Sequence, residues 1–156
     1  SIRGMGMEDH YILNTDVSFY VKKLDNHIQR IIYSLYDRKA FQECSLMNMW
    51  VVDFLYHQEK KGQDVFQKDV EAEFYINRAT ASKMLSLMEE KRLILRKSSD
   101  KDARLKKIVL LERGYELQRL CRTIREEVER RITRNMSEEE VGHFKALCSR
   151  MMGNLN

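Results

Sequence analysis

Across this 156-residue chain the apolar residues keep a helical period everywhere except between Leu93 and Leu110. In that one stretch two short apolar runs, Leu93 to Lys97 and Leu105 to Leu110, flank the polar segment Ser98-Ser99-Asp100-Lys101-Asp102-Ala103-Arg104. Strand-length runs around a polar turn read as a β-hairpin. Helices with a single hairpin in the second half of the chain form a narrow class of folds. Proline is absent, so no ring clash interrupts a helix and long helices are expected.

The helical segments follow from spacing and caps. Val17, Tyr20, Val21, Leu24, Ile28, Ile31, Ile32 and Leu35 fall at three- and four-residue steps, which predicts one long helix from about Asp16 to Lys39. Ser45 can cap a second helix over Leu46 to Lys61, and Gly62 suits the left-handed residue that ends it. Trp50 is expected as a core anchor of that helix. After Val65-Phe66, a short helix over Gln67 to Phe74 carries Val70 and Phe74 on one face. Tyr75-Ile76-Asn77 is a turn, and Asn77 caps the next helix, Arg78 to Lys91, with Ala81, Met84, Leu85 and Met88 as its buried stripe. Two short helices joined by a tight turn make a helix-turn-helix, and a hairpin directly after it is a wing. Helical spacing returns from Glu112 to Arg134. Ser137 and Glu140 then form a capping box before a last helix with Val141, Phe144, Leu147 and Met151 on one side. The terminal stripes hold more apolar surface than a small winged lobe can cover, which points to a twofold homodimer. Residues Ser1 to Gly6 are set aside from this reading.

The charge is concentrated rather than spread. Between Arg78 and Lys107 ten basic side chains face four acidic ones, an excess of six, while the whole chain nets +4. A basic segment on a slightly acidic chain is the footprint of a phosphate-binding surface. On the helix opening at Arg78, the side opposite the buried stripe holds Ala79, Ser82, Lys83, Ser86 and Glu90. Small residues let a helix approach base edges, hydroxyls bond to bases or phosphates, and Lys and Arg favour guanine or phosphate. In the hairpin, Arg104 stands at the tip with Asp102 two residues away to hold its guanidinium, a geometry suited to a minor groove.

These pieces, in this order, resemble the MarR/SlyA family of bacterial regulators over nearly the whole chain. The resemblance is carried by Gln67-Lys68-Asp69-Val70, Thr80-Ala81-Ser82-Lys83-Met84-Leu85, the run Met88 to Arg96, Asp102-Ala103-Arg104 at the wing tip, and Leu110-Leu111-Glu112-Arg113-Gly114 leading into a long helix. It implies one domain over 1–156, mainly α with a small hairpin. A winged helix-turn-helix lobe at 46–111 would be flanked by dimerisation helices at 16–45 and 112–156. It also implies binding to palindromic promoter DNA, relieved in many members by a small effector. The DNA-facing residues expected here are Asn77, Arg78, Thr80, Ser82, Lys83 and Ser86 from the helix-turn-helix, and Lys97, Lys101, Asp102 and Arg104 from the wing. Three positions depart from the family pattern. Arg92 stands where Gly is usual after the recognition helix, Phe66 where a capping Thr is common, and Leu111 where Thr opens the long helix.

Other classes have less to rest on. His10, His27, His57 and His143 lack metal or triad spacing, and no glycine-rich phosphate loop occurs, so catalysis is not expected. No cofactor is expected. Cys44, Cys121 and Cys148 form no CxxC pair, which disfavours a zinc finger. Within the same fold, Cys44 beside Glu43 is the candidate redox sensor, and His27, Glu43 and Cys44 the candidate metal set. An adaptor without DNA binding is disfavoured by the basic wing. No secretory leader opens the chain and no apolar run can span a bilayer, so a cytoplasmic protein is expected.

Overall fold

The computed structural model describes residues 15–36 and 38–156, and the side chains of Arg38 and Lys39 are outside that description. The opening residues and His10 therefore lie outside it. Among the described residues, seven helices and one hairpin follow in the order α1 (Val17–Leu35), α2 (Arg38–Phe41), α3 (Leu46–Lys60), α4 (Gln67–Phe74), α5 (Arg78–Glu90), β1 (Ile94–Ser98), β2 (Lys106–Leu110), α6 (Glu112–Ile132) and α7 (Glu138–Asn154). The strands pair antiparallel, with Ile94 opposite Leu110 and Ser98 opposite Lys106. Among the described residues no helix is long and apolar enough to cross a membrane.

Two compact units divide the chain. The first holds Tyr36–Ile124. Its core is built from Met49, Val51, Val52 and Leu55 of α3, Val70 of α4, Ala81, Leu85 and Met88 of α5, Leu93 and Ile94 at the start of the hairpin, and Leu117 and Cys121 of α6, all at most 3% exposed. The hairpin is anchored beyond its own ladder, because the amide of Ile108 donates to the Val65 carbonyl at 2.8 Å. The predicted stop at Gly62 is present with φ +71°. Ser45 and Asn48 cap α3 reciprocally, each side-chain oxygen accepting the other's backbone amide at 3.1 Å.

Two expectations for this unit change. Trp50 is half-buried rather than a core anchor. The buried arc of α3 runs through Asn48, Met49, Val51, Val52, Asp53 and Leu55, and Trp50 lies on the side away from Val52. The first helix ends at Leu35, short of the expected Lys39. The Tyr36 ring turns inward and is buried, and its hydroxyl donates to the carbonyls of Phe41 at 2.6 Å and Cys44 at 3.4 Å. Residues Tyr36–Cys44 thus form a strap closed by a buried phenol, which no apolar period reports.

The second unit comprises α1, the end of α6 from Arg125, and α7. Its stripes are where the sequence puts them, yet little of them is covered. Val17, Tyr20 and Val21 of α1 are 57–61% exposed, Phe144 is 51% exposed, and α7 has no buried residue. The capping box before α7 is formed, Glu140 N–H donating to Ser137 Oγ at 3.1 Å and Ser137 N–H to Glu140 Oε1 at 2.9 Å.

Candidate nucleic-acid interface

The helix-turn-helix is set by its caps. Asn77 takes an extended backbone, and its Oδ1 accepts from the Thr80 amide at 2.8 Å, which fixes the first turn of α5. The preceding Tyr75 is left-handed at φ 50° and 82% exposed. From α4, the Gln67 amide reaches across to the Arg78 carbonyl at 3.3 Å and to Glu71 at 3.3 Å. The front of α5 is therefore braced while Asn77, Arg78, Ala79, Thr80, Ser82 and Lys83 are all exposed. Arg78 and Lys83 make no ion pair with any described residue. Ala81, Leu85 and Met88 are fully buried behind them and Met84 is half-buried, which is the expected stripe. Ser86 differs from its neighbours. It is half-buried and its oxygen already accepts from Arg96 Nη2 at 3.1 Å, so it has less to offer a ligand than its exposed neighbours.

The wing tip is ordered by Asp102. Its Oδ1 accepts from the Arg104 amide at 3.0 Å and from Arg104 Nε at 3.2 Å, and Oδ2 accepts from Nη2 at 3.1 Å. These bonds hold the Asp102 carboxyl below the usual carboxylate range. The guanidinium is held by one edge, yet the Arg104 side chain stays 89% exposed. Lys97 and Lys101 are exposed on the same hairpin, and Ser99 Oγ accepts from the Lys101 amide at 3.2 Å. Near the loop end of β2, opposite Lys97, Lys107 pairs with Asp64 at 3.1 Å.

A clamp joins the two halves. Arg96 of β1 donates to Glu89 of α5 from its amide at 3.0 Å, from Nε at 3.2 Å and from Nη2 at 3.0 Å. The amide and then the guanidinium of Arg96 hold the Glu89 carboxyl below its ordinary range. Three hydrogen bonds thus tie the first strand of the wing to α5. Both residues lie in the run Met88 to Arg96, but nothing in that run announces this pairing. The only signal available was an acid and a base seven apart across a helix–strand junction, which is weak.

Two of the three departures from the pattern of the resembled family resolve locally. Arg92 is left-handed at φ 62°. Its amide donates to the Glu89 carbonyl and that of Leu93 to the Met88 carbonyl, both at 3.0 Å, the paired bonds that end a helix through a left-handed residue. Phe66 has no side-chain oxygen to offer α4. Asp69 compensates by accepting the Phe66 amide on Oδ2 at 2.8 Å, while its own amide donates to the Phe66 carbonyl at 3.0 Å.

The redox reading of Cys44 is corrected. The residue is 7% exposed, and burial together with the neighbouring Glu43 pushes its thiol up, away from the thiolate a sensor needs. The metal set is not assembled either. Glu43 is taken by Arg113, and the described residues contain no group of three His, Cys, Asp or Glu side chains able to hold an ion.

The MarR family model matches residues 45–105. No curated protein matches the chain in sequence. Among solved structures, the S. aureus MepR-DNA complex is 24% identical with TM-score 0.77, covering 92% of this chain and 99% of the other. The transcription regulator MarR from Oenococcus oeni PSU-1 is 27% identical with TM-score 0.73, covering 88% and 99%. The heme sensor protein PefR from Streptococcus agalactiae, in complex with heme, is 20% identical with TM-score 0.59, covering 88% and 89%.

Proposed function

We propose, from the match of residues 45–105 to the MarR family model, that the chain is a sequence-specific DNA-binding transcription regulator rather than an enzyme. It works as a homodimer on a palindromic operator, as a repressor relieved by a small-molecule effector. The observation that carries the reading is the pairing of an exposed, ion-pair-free helix front, Arg78 to Lys83, with an outward Arg104 on a wing clamped to the same helix by Arg96 and Glu89. Lys83 and Arg78 reach phosphates or guanine edges in the major groove, and Asn77, Thr80 and Ser82 read bases or anchor the backbone. Arg104, with Lys97 and Lys101 beside it, enters the adjacent minor groove.

The dimer is built from 16–45 and 112–156, around a DNA-binding lobe at 46–111. Its support is the uncovered apolar face of Val17, Tyr20, Val21 and Leu24 on α1 and of Phe144 and Met151 on α7. A twofold dimer presents two recognition helices about 34 Å apart. An effector acts by changing that separation, since both helices must enter successive major grooves together.

Titration of a selected operator at several salt concentrations tests the reading. Arg104→Ala and Lys83→Ala should weaken binding to many sequences and lower the salt slope by about one unit per lost phosphate contact, counted twice in a dimer. Ser82→Ala should alter sequence preference more than slope. Wild-type affinity and slope in folded, dimeric Arg104→Ala and Lys83→Ala proteins would exclude this interface, and a wild type with no affinity for DNA would leave an interaction protein of the same fold.

A further inference from the structure

The back of the recognition helix is held as carefully as its front, by a side chain that touches no part of the interface. Arg113, the second residue of α6, donates from Nη1 to the Lys91 carbonyl at 2.7 Å. Lys91 is the C-cap of α5, so this carbonyl is one of those left without a partner inside the helix. From Nη2, Arg113 reaches the Ala40 carbonyl at 3.3 Å and the Glu43 carboxylate. Its guanidinium lies 5.3 Å over the Phe41 ring, which is buried. The pair shifts both groups, Glu43 downward and Arg113 upward, each mainly through their hydrogen bond. A second limb runs in parallel. Lys91 Nζ donates at 3.3 Å to Asn48 Oδ1, the same oxygen that caps α3 through Ser45.

One planar fork therefore joins three things: the end of α5, the start of α6, and the strap Tyr36–Cys44. The strap is the chain that leaves α1, and it is closed on itself by the buried Tyr36 hydroxyl. A partly exposed ion pair contributes little to stability. Three acceptors gathered by one rigid group instead fix geometry, because moving the strap moves the carbonyl at the end of the helix that meets DNA. The helix has 13 residues, about 20 Å at the usual rise. It is braced by Gln67 in front and by Arg113 and Lys91 behind, so its tilt is set at both ends.

We propose that Arg113 is a positioning residue for DNA recognition, setting the pose of α5 from behind and tying it to the strap that leaves α1. The inference rests on the DNA-binding reading above. Its effect is on specific binding. The phosphate contacts that give sequence-independent affinity are made by Arg78, Lys83 and the wing, and Arg113 makes none of them.

The test uses the full chain and two labelled duplexes of equal length. One is recovered by the wild-type protein from a random-sequence library, and the other is an unselected random-sequence duplex. Affinities are read by fluorescence anisotropy at a temperature where circular dichroism shows each variant folded. Arg113→Gln should lose about three- to thirtyfold in affinity for the selected duplex, the range known for residues that act without touching ligand. Its affinity for the random duplex should stay within about twofold, with an unchanged salt slope. Arg113→Lys keeps the charge but offers one compact ammonium to acceptors that the fork spans, so its loss should be intermediate. Should Arg113→Gln not fold, Arg113→Lys decides by the same ratio. A ratio of selected to random affinity equal to wild type in the folded variants, or equal losses on both duplexes, overturns the inference and leaves Arg113 structural. A wild type that enriches no sequence overturns the DNA-binding reading itself, and this inference with it.

Discussion

Gly114 offers the sharpest test of the packing, because the same substitution should act in opposite directions at two helical glycines. A Cβ at Gly114, in the first turn of α6, would lie 2.2 Å from the Leu93 carbonyl oxygen and 2.9 Å from Leu110 Cδ2. Ordinary carbon–oxygen contacts begin about 1 Å further out. The first of these atoms is backbone and cannot rotate away, so α6 must shift from the base of the hairpin. The shift strains the bond from the Leu111 amide to that same Leu93 carbonyl, now 3.0 Å. Overpacking of this kind costs about 1–3 kcal/mol and a lost hydrogen bond about 1 kcal/mol. The better helix propensity of Ala returns about 1 kcal/mol, so Gly114→Ala should destabilise by about 2 kcal/mol. For a chain of this size that lowers Tm by roughly 4–8 °C. At Gly142 in α7 nothing lies within 4 Å of the added Cβ. Gly142→Ala should therefore stabilise by about 0.5–1 kcal/mol through backbone entropy alone. Both are read from thermal melts at one fixed protein concentration, since a dimer's Tm depends on concentration. A Gly114→Ala protein melting at or above the wild type would refute the close approach of α6 to Leu93.

Arg92→Gly should raise stability by about 1 kcal/mol, because φ 62° is unfavourable for a residue with a Cβ; an unchanged or lower urea midpoint would mean that its side chain offsets the backbone term. Glu89 is held below its ordinary 4.5 in the folded state. Its contribution is therefore present above pH 4.5 and is lost as pH falls through the lower folded value. The stability gap between wild type and Glu89→Gln should be open at neutral pH and close on acidification, and a gap independent of pH would remove the Arg96 clamp. Sedimentation at micromolar concentration should give a dimer, and replacing Val17 and Val21 with Asp should dissociate or unfold it; a stable folded wild-type monomer would sink the interface on α1 and α7.

What could be read from the sequence is what is decided within a few residues. Ser45, Asn77 and Ser137 each accept an amide three residues on, so their chemistry announces three helix starts. Asp102 and Arg104 pair across one residue, and their contact follows from spacing. The readings that changed are those that depend on distant chain. Tyr36 ends α1 because its hydroxyl finds carbonyls five and eight residues later. Trp50 is bulky, but bulk does not say which arc of α3 is covered. Cys44 stands before a helix and beside Glu43, but its burial, and then the Glu43 charge, both push its thiol up, and the burial depends on distant chain. The clamp of Arg96 and the fork of Arg113 join residues 7, 22 and 70 apart. No period or cap encodes such separations.

The departures from the family pattern show what the lobe does require. Losing a left-handed Gly at 92 and a capping hydroxyl at 66 leaves both helix ends in place, because the decisive bonds are backbone ones. The Met88 and Glu89 carbonyls receive the amides of Leu93 and Arg92 whichever side chain sits at 92. The Asp69 amide turns to the Phe66 carbonyl when there is no hydroxyl to take it. Gly114 is different, because there the backbone of Leu93 fills the place a Cβ would occupy. A position whose glycine supplies only a dihedral angle can change at a cost of about 1 kcal/mol, whereas one whose glycine supplies space cannot change without moving α6. The constraint on this lobe is thus the seating of α6 against the base of the hairpin, which also fixes where Arg113 reaches the end of the recognition helix.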